Sequence, residues 1–378
     1  MKIFVVAGAR PNFVKVAPIL EAMRGRRDVE PVLVHTGQHY DIRMSGSFFD
    51  ELGIPAPDIN LEVGSGSHAK QTARIMTAFE DVCAREKPDW VTVVGDVNST
   101  VACALTAKKM GIQVAHVEAG LRSWDRSMPE EINRLCTDAI SDLLFTTDEG
   151  ASANLRAEGI EENKIHFVGN TMIDTLLRHV DRAKALPLPD GLQRGEFAVL
   201  TLHRPSNVDS GARLQGIFDA LEDVAARMPV VFPVHPRTAE RLAGIRLHRN
   251  VRTTEPMGYL RFVGLIAQAR MVLTDSGGIQ EETTVLGVPC VTMRANTERP
   301  ITCEVGTNVL AGTDPRGIRG AAMAALRGEG RAGRIPEKWD GKAAGKIVDV
   351  ILRTVQSGTH GEHHDKRQAL AAAGGQAR

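Results

Sequence analysis

The sequence predicts an α/β fold in which two similar doubly wound domains face each other across a cleft. Apolar, β-branched runs alternate with helical patterns along the chain, which is typical of parallel sheets covered by helices on both faces. This alternation starts again near residue 197, after a segment rich in proline and glycine. A length of 378 residues is too great for one ordinary core and fits two domains.

The first half contains runs that indicate strands, each followed by a turn and, in most cases, a helical pattern. The expected strands are 2–7, 31–35, 90–94, 114–117, 143–146 and 165–168. The expected helices are 14–23, 42–52, 71–85, 105–110, one opened by Pro129, and 171–179. We assign residues 1–182 to this domain and residues 183–195, with two prolines and two glycines, to a linker.

The second half repeats the pattern over residues 196–340. The expected strands are 197–202, 230–234, a weak one near Val251, 271–274 and 289–293. The expected helices are 214–225, capped by Asp209 or Ser210, and 259–269. A terminal helix is predicted at 341–356, and the Ala-, Gly- and His-rich residues 357–378 are expected to be disordered.

Composition excludes several classes of partner. The 46 basic residues balance 46 acidic ones, so no overall field favours nucleic acid or an anionic membrane. No window has the roughly 18 uninterrupted apolar residues of a membrane span, and the N-terminus lacks a signal-peptide layout, so we expect a cytoplasmic protein. The five cysteines show no metal-ligand spacing, so we predict reduced thiols and no metal site.

Residues 271–282 have the layout of an anion site. An apolar strand ends at Asp275 and Ser276, and the glycines Gly277 and Gly278 then open a helix. Unpaired N–H groups at a helix N-terminus favour a phosphate, and glycines let it approach the backbone. Glu282, a turn further on, could accept hydrogen bonds from a ribose diol. Taken alone, this motif is equally compatible with a plain turn.

Acidic side chains at strand ends suggest acid–base chemistry. Asp96 and Glu118 follow two expected parallel strands, and such strands end at one edge of a sheet. Glu130 and His203 complete a group suited to proton transfer. Asp96 could instead cap the next helix, and His203, like His235, could be an ordinary loop histidine.

Three arginines could bind a diphosphate. The guanidinium groups of Arg10, Arg204 and Arg299 can each fork onto phosphate oxygens, and each residue could equally be an ordinary surface arginine.

Nine motifs together closely resemble those of the non-hydrolysing UDP-N-acetylglucosamine 2-epimerases, in order, over about residues 1–355. They are 8–11 (GARP), 36–39 (TGQH), 95–96 (GD), 116–122 (HVEAGLR), 129–134 (PEEINR), 202–204 (LHR), 233–235 (PVH), 274–282 (TDSGGIQEE) and 294–300 (RANTERP). The resemblance implies a GT-B-like fold of two Rossmann-like domains, a homodimer, and interconversion of UDP-GlcNAc with UDP-ManNAc for cell-surface polysaccharide synthesis.

Carried over motif by motif, the resemblance implies a role for each matching residue. The implied catalytic group is Asp96, Glu118, Glu130 and His203. Ser276, Gly277, Gly278 and Arg10 would hold the diphosphate, Glu282 the ribose and Phe262 the uracil region, with Arg299 supporting the cleft. The full predicted substrate-binding set is Arg10, Gln38, Arg134, Arg204, His235, Phe262, Ser276, Gly277, Gly278, Glu282 and Arg299.

The implied reaction removes the proton on C2 of the sugar while the anomeric C–O bond breaks. This gives a glycal and UDP, both held in the cleft until the glycal is reprotonated from its other face and UDP adds back. The reaction requires no redox cofactor and no metal.

Some residues depart from the family pattern. The loop from Arg122 to Pro129 is short, residues 205–207 are Pro-Ser-Asn, and Asp41 replaces a glutamine of members with an allosteric UDP-GlcNAc site. The alternatives are therefore a 2-epimerase of a related UDP-amino sugar such as a 2,3-diacetamido uronate, a hydrolysing epimerase, a GT-B glycosyltransferase and a nucleotide-sugar sensor.

Overall fold

A computed structural model describes residues 1–37, 49, 51–234 and 236–358. For Arg10, Pro236, Arg237, Ser357 and Gly358 it describes the backbone alone. The predicted helix at 42–52 falls almost entirely outside the described residues, and so does the predicted tail beyond residue 358.

The first sheet has seven parallel strands in the spatial order β3-β2-β1-β4-β5-β6-β7. They are β1 (Lys2–Ala7), β2 (Glu30–His35), β3 (Ile59–Asn60), β4 (Trp90–Val94), β5 (Gln113–Ala119), β6 (Leu143–Thr146) and β7 (Ile165–Phe167). The whole of β4 is buried, as expected for a strand covered by helices on both faces. The six predicted strands are confirmed, and β3 is an addition only two residues long.

Helices cover both faces of this sheet. They are α1 (Arg10–Arg24), α2 (His68–Glu86), α3 (Asn98–Lys109), α4 (Pro129–Ile140), α5 (Glu149–Ala157) and α6 (Thr171–Lys184). Proline occupies the first helical position of α4, as predicted. The sequence did not predict α5, whose N-terminus is capped by the Asp148 side chain. Helix α6 runs to Lys184 and so extends into the segment predicted as a linker.

The second sheet has six parallel strands in the order β10-β9-β8-β11-β12-β13. They are β8 (Ala198–Thr201), β9 (Val230–Pro233), β10 (Val251–Thr254), β11 (Met271–Thr274), β12 (Cys290–Thr292) and β13 (Asn308–Leu310). The predicted strands are confirmed, including the weak one at Val251, whereas β13 was not predicted. In both sheets the strand order reverses next to the first strand of the sheet, β1 or β8. Doubly wound folds ordinarily bind ligands at the carboxyl ends of the strands beside such a reversal.

In the second half and the C-terminus, the described residues form nine further α-helices. They are α7 (Pro205–Val208), α8 (Gly211–Ala220), α9 (Glu222–Ala225), α10 (Pro236–Ala239), α11 (Tyr259–Ala267), α12 (Gly277–Leu286), α13 (Pro300–Glu304), α14 (Pro315–Leu326) and α15 (Ala343–Gly358). The single helix predicted at 214–225 is divided at Leu221, although the Ser210 cap is confirmed. Within the described residues, no helix has the length and apolarity needed to cross a bilayer.

The chain returns to the first domain at its C-terminal end. Ile347, Val348 and Ile351 of α15 are buried in the same core as strand β1, and α15 packs against α1. Trp339 joins this core and donates its indole N–H to the carbonyl of Thr147 at 2.9 Å. The sequence did not predict this return, and Trp339 falls within residues 196–340, which we assigned to the second domain from the sequence.

The packing of α15 predicts an asymmetric response to mutation of that helix. Ile351→Ala removes a fully buried side chain and should lower the free energy of unfolding by about 2–5 kcal/mol in urea titrations. Asp349→Ala, which removes an exposed ion pair with Arg26, should cost at most about 1 kcal/mol. Equal effects of the two substitutions would contradict a docked C-terminal helix.

Candidate active site

The cleft begins at the carboxyl ends of the central strands of the first sheet. Glu118 lies at the end of β5 with φ of 69°, and Asp96 follows β4 directly after Gly95. A β-carbon on Gly95 would lie 3.2 Å from Glu118 Oε2 and 3.3 Å from Lys15 Nζ. The short contacts and the φ of 69° at Gly95 both favour glycine at this position. Asp96 and Glu118 follow adjacent strands at one edge of the sheet, and the charges of both act on Arg299.

The Glu118 carboxylate is buried between two cations. Lys15, itself buried on α1, forms an ion pair with Oε2, and an Arg299 guanidinium N–H lies 3.5 Å from Oε1. Burial alone would raise the pKa of Glu118, but Lys15 and Arg299 outweigh it and hold the pKa below its usual value. Glu118 is therefore ionised at neutral pH.

Asp96 is held by an ion pair and does not cap the next helix. Helix α3 has Val97 at its N-cap, with no side-chain hydrogen bond there. The Asp96 carboxylate pairs instead with Arg134, which also binds the buried Glu131. Arg134, which was predicted to bind substrate, is thus paired with two carboxylates of its own domain, Asp96 and Glu131.

The two adjacent glutamates at the start of α4 differ in environment. Glu131 is buried and accepts hydrogen bonds from the backbone N–H groups of Ser123 and Trp124. Glu130 is half-buried and lies close enough for its charge to act on Arg204 of the second domain. This contrast leaves Glu130, the predicted catalytic residue, available to the cleft.

His203 and Arg204 follow β8 and are both held by Asp275. The fully buried Asp275 carboxylate lies 2.7 Å from His203 Nδ1 and accepts the Arg204 backbone N–H at 3.0 Å. Burial would raise the pKa of Asp275, but its bonds from His203 and the Arg204 backbone hold that pKa below its usual value. An ionised carboxylate at Nδ1 orients the half-exposed imidazole, as in other histidines that transfer protons.

The N-terminus of α12 has the predicted anion-site layout. Ser276 is its N-cap residue and is half-buried, and Gly277 and Gly278 form the first turn. A β-carbon on Gly277 would lie 2.4 Å from an Arg299 terminal nitrogen and 2.6 Å from Glu298 Oε1. The glycine is required because the helix end packs directly against this ion pair.

Arg299 is buried among carboxylates of both domains. Its guanidinium lies 2.5 Å from Glu298 Oε1 and 3.0 Å from Glu281 Oε1, and it reaches Glu118 across the cleft. These partners hold the pKa of Arg299 well above its usual value against the opposing effect of burial. The guanidinium thus joins the two halves of the site.

Glu282 lies one helical turn behind the glycines. It is buried, and burial together with Glu281 raises its pKa to about 8, whereas a hydrogen bond with Tyr259 opposes this shift. In the free protein Glu282 is therefore mostly protonated at neutral pH and can both donate and accept. Phe262, on the neighbouring α11, is half-buried and packs against the hydrophobic cluster that contains Leu265.

Three predicted binding groups cannot be placed. Gln38 and His235 lie outside the described residues, and so does the side chain of Arg10, whose backbone begins α1. Asp41, the departure relevant to allostery, is also outside them.

Sequence reasoning missed the partners of the predicted residues. Lys15, Asp275, Glu281 and Glu298 are all buried in the site, but none was proposed for a role. Lys15 carried a usable signal, because it lies within the apolar face of an expected helix that follows strand 2–7. The other three adjoin quoted motifs, but only the packing of one domain on the other reveals their contacts.

Two doubly wound sheets with facing carboxyl edges, a helix N-terminus and buried acids define the GT-B-like class of two-domain proteins. The chain belongs to the UDP-N-acetylglucosamine 2-epimerase family, whose model matches residues 21–352.

Individual relatives extend over most of the chain. A UDP-N-acetylglucosamine 2-epimerase of Methanococcus maripaludis is 41% identical over 356 residues, which cover 88% of this chain and 96% of the relative. A UDP-2,3-diacetamido-2,3-dideoxy-D-glucuronate 2-epimerase of Pseudomonas aeruginosa is 44% identical, and the match covers 82% of this chain and 88% of the relative. The crystal structure of Methanocaldococcus jannaschii UDP-GlcNAc 2-epimerase with UDP-GlcNAc and UDP superposes with a TM-score of 0.84 at 41% identity, covering 93% of this chain and 100% of that one.

The close packing at Gly277 predicts different responses at two adjacent glycines. Gly277→Ala should lower the free energy of unfolding of the ligand-free protein by about 1–3 kcal/mol, because its methyl group displaces Arg299 and Glu298. A β-carbon at Gly278 would contact only the flexible end of the Met172 side chain, at 3.4 Å. Gly278→Ala should therefore change the free energy of unfolding by less than about 1 kcal/mol. Urea unfolding of both variants measures the difference, and a destabilised Gly278→Ala with a normal Gly277→Ala would refute this packing.

Proposed function

We propose that this protein interconverts UDP-GlcNAc and UDP-ManNAc by epimerisation at C2, through elimination and re-addition of UDP. The observation that carries the proposal is the ionised Glu118 carboxylate, which Arg299 links to a helix N-terminus suited to a diphosphate. Membership of the 2-epimerase family and the 41% identical UDP-GlcNAc-bound structure support the same reaction.

The second domain binds the nucleotide in this proposal. The diphosphate lies at the N-terminus of α12, where backbone N–H groups of Gly277 and Gly278 can donate to it. Glu282 bonds the ribose hydroxyls, and Phe262 contacts the uracil. Arg204 and the side chain of Arg10 add positive charge, which stabilises the negative charge that builds up on the leaving UDP.

The first domain carries out the proton transfer. One of Asp96 and Glu118 takes the C2 proton while the electrons of the C2–H bond form the C1–C2 double bond and the C1–O bond to UDP breaks. The glycal then receives a proton on its opposite face, and the diphosphate oxygen attacks C1 to restore the sugar nucleotide. Glu130 and His203 complete the acid–base group, with His203 oriented by Asp275.

The retention of UDP and the glycal depends on excluding water. A cleft that closes between two domains can keep water away from the glycal until UDP adds back. The epimerisation is therefore non-hydrolysing in this proposal, and the hydrolysing alternative would release free ManNAc and UDP.

A second substrate has a specific observation in its favour. The Pseudomonas aeruginosa relative that epimerises a UDP-diacetamido glucuronate is 44% identical, as close as the archaeal UDP-GlcNAc enzymes at 41–45%. A side-by-side comparison of rates on the two sugar nucleotides decides between them, and a clear preference for the uronate would reverse our choice.

Incubation with UDP-GlcNAc in heavy water tests the reaction. We expect NMR to show UDP-ManNAc carrying deuterium at C2, because the abstracted proton exchanges with solvent before it returns. Epimerised product without deuterium would contradict solvent-exchanging deprotonation. Release of free ManNAc and UDP would establish the hydrolysing alternative.

Substitutions should separate catalysis from binding within the same cleft. Asp96→Asn and Glu118→Gln should lower turnover by roughly a hundredfold or more and leave UDP affinity within a few-fold. Glu282→Ala should instead weaken UDP binding by about 1–3 kcal/mol, because the ribose hydroxyls lose their hydrogen-bond partner in a buried site. Calorimetry with UDP and turnover assays on the same variants measure both effects, and near-normal turnover of both acid variants would disprove the catalytic assignment.

A further inference from the structure

Glu281 is a buried carboxylate that contacts both domains. Its Oε1 accepts a hydrogen bond at 2.9 Å from the side-chain amide of Asn170, which caps α6 in the first domain. The same oxygen lies 3.0 Å from Nε of Arg299 in the second domain. Its Oε2 is fully buried and has no hydrogen-bond partner among the residues that the structure describes.

A single guanidinium separates Glu281 from Glu118. Arg299 contacts Glu281 through Nε and Glu118 through a terminal nitrogen, at 3.0 and 3.5 Å. The other charged groups that act on Glu281 or adjoin it are Lys15 of α1 and Glu282 on its own helix. The charge of Glu281 is therefore felt at Glu118 through a cation that both carboxylates share.

We propose that Glu281 is a positioning residue for the epimerisation, which acts through Arg299 to set the orientation and basicity of Glu118. The inference rests on the proposed function, since it concerns Glu118, one of the two carboxylates assigned to proton transfer at C2. An ionised Glu281 takes a share of the positive charge of Arg299 and adds a like charge near Glu118. Both effects make the Glu118 carboxylate a stronger base toward the C2 proton.

The contacts of Glu281 differ from those of a purely structural ion pair. A buried carboxylate is costly unless both oxygens are satisfied, and the orphan Oε2 leaves that cost uncompensated. Burial raises the pKa of Glu281 to about 7, with Arg299 opposing the shift and Glu118 adding to it. Its charge thus changes within the working pH range of an enzyme, so that a kinetic pH profile can report it.

Glu281→Gln tests the inference because it keeps the shape of the side chain and removes the ionisation. Its amide oxygen can retain the hydrogen bond from Asn170, whereas the ion pair with Arg299 is lost. At pH 8 with UDP-GlcNAc we expect kcat to fall roughly tenfold, as basicity drops by about one to two pKa units, with UDP affinity within about twofold. We also expect the wild-type rise in kcat between pH 6 and pH 8 to lose one ionisation.

Glu282→Gln is the matched control, one residue further along the same helix. Glu282 is buried like Glu281, but its partner is Tyr259, and no ion pair with Arg299 is found in the described part of the structure. This substitution should change UDP affinity and KM. It removes a group whose own pKa is about 8 and should leave the ionisation near pH 7 in the kcat profile in place. A kcat profile that changes identically in both variants would overturn the role of Glu281.

Asn170→Ser provides a second route to the same answer if Glu281→Gln does not fold. Serine still caps α6 but no longer reaches Glu281, so the carboxylate loses a donor that favours its charged form. The kinetic ionisation should then move to higher pH, and an unmoved profile would overturn the inference.

The wild-type measurement separates this inference from the proposed function. A wild-type protein that forms no UDP-ManNAc overturns the proposed function and this inference with it. An active wild type whose kcat profile is shared by Glu281→Gln overturns the inference alone.

Discussion

The buried guanidinium of Arg299 is the contact on which the rest of the site depends. It lies between the two sheets and pairs with Glu118 of the first domain and with Glu281 and Glu298 of the second. Removing one partner from a buried group of charges typically costs about 3–5 kcal/mol, because the remaining charges are left uncompensated. The relative position of the two domains is therefore coupled to the charge balance of the acids in the cleft.

This coupling explains why the site is divided between domains. The strand ends of the first sheet supply carboxylates, and the second sheet supplies the helix N-terminus and the histidine oriented by Asp275. The anion site and the carboxylates assigned to the C2 proton therefore lie in different domains. Glu118 remains ionised because Lys15 and Arg299 reach it from opposite domains, and an ionised carboxylate is what removal of a carbon-bound proton requires. The chain also crosses between the domains a second time, because α15 packs against α1 of the first domain.

Much of the fold could be predicted because buried parallel strands are continuous apolar runs. The strand at Trp90–Val94 was predicted to the residue, and the acids after β4 and β5 lie at one edge because parallel strands end together. Helix α5 was missed because glycine, serine and asparagine obscure its helical pattern. The alternative for Asp96, a helix cap, follows from local sequence alone, whereas its partner Arg134 lies 38 residues away. Glu281 and Glu298 could not be given partners because packing between the domains creates those contacts.

The central claim is that UDP leaves and returns within one cleft, and positional isotope exchange tests it most directly. UDP-GlcNAc would carry ¹⁸O in the oxygen that bridges the sugar and the diphosphate, and NMR would follow the label during turnover. Cleavage of the C1–O bond frees the terminal phosphate of UDP to rotate, so the label should spread to non-bridging oxygens at a rate comparable with epimerisation. Complete epimerisation with the label still in the bridge would contradict the account.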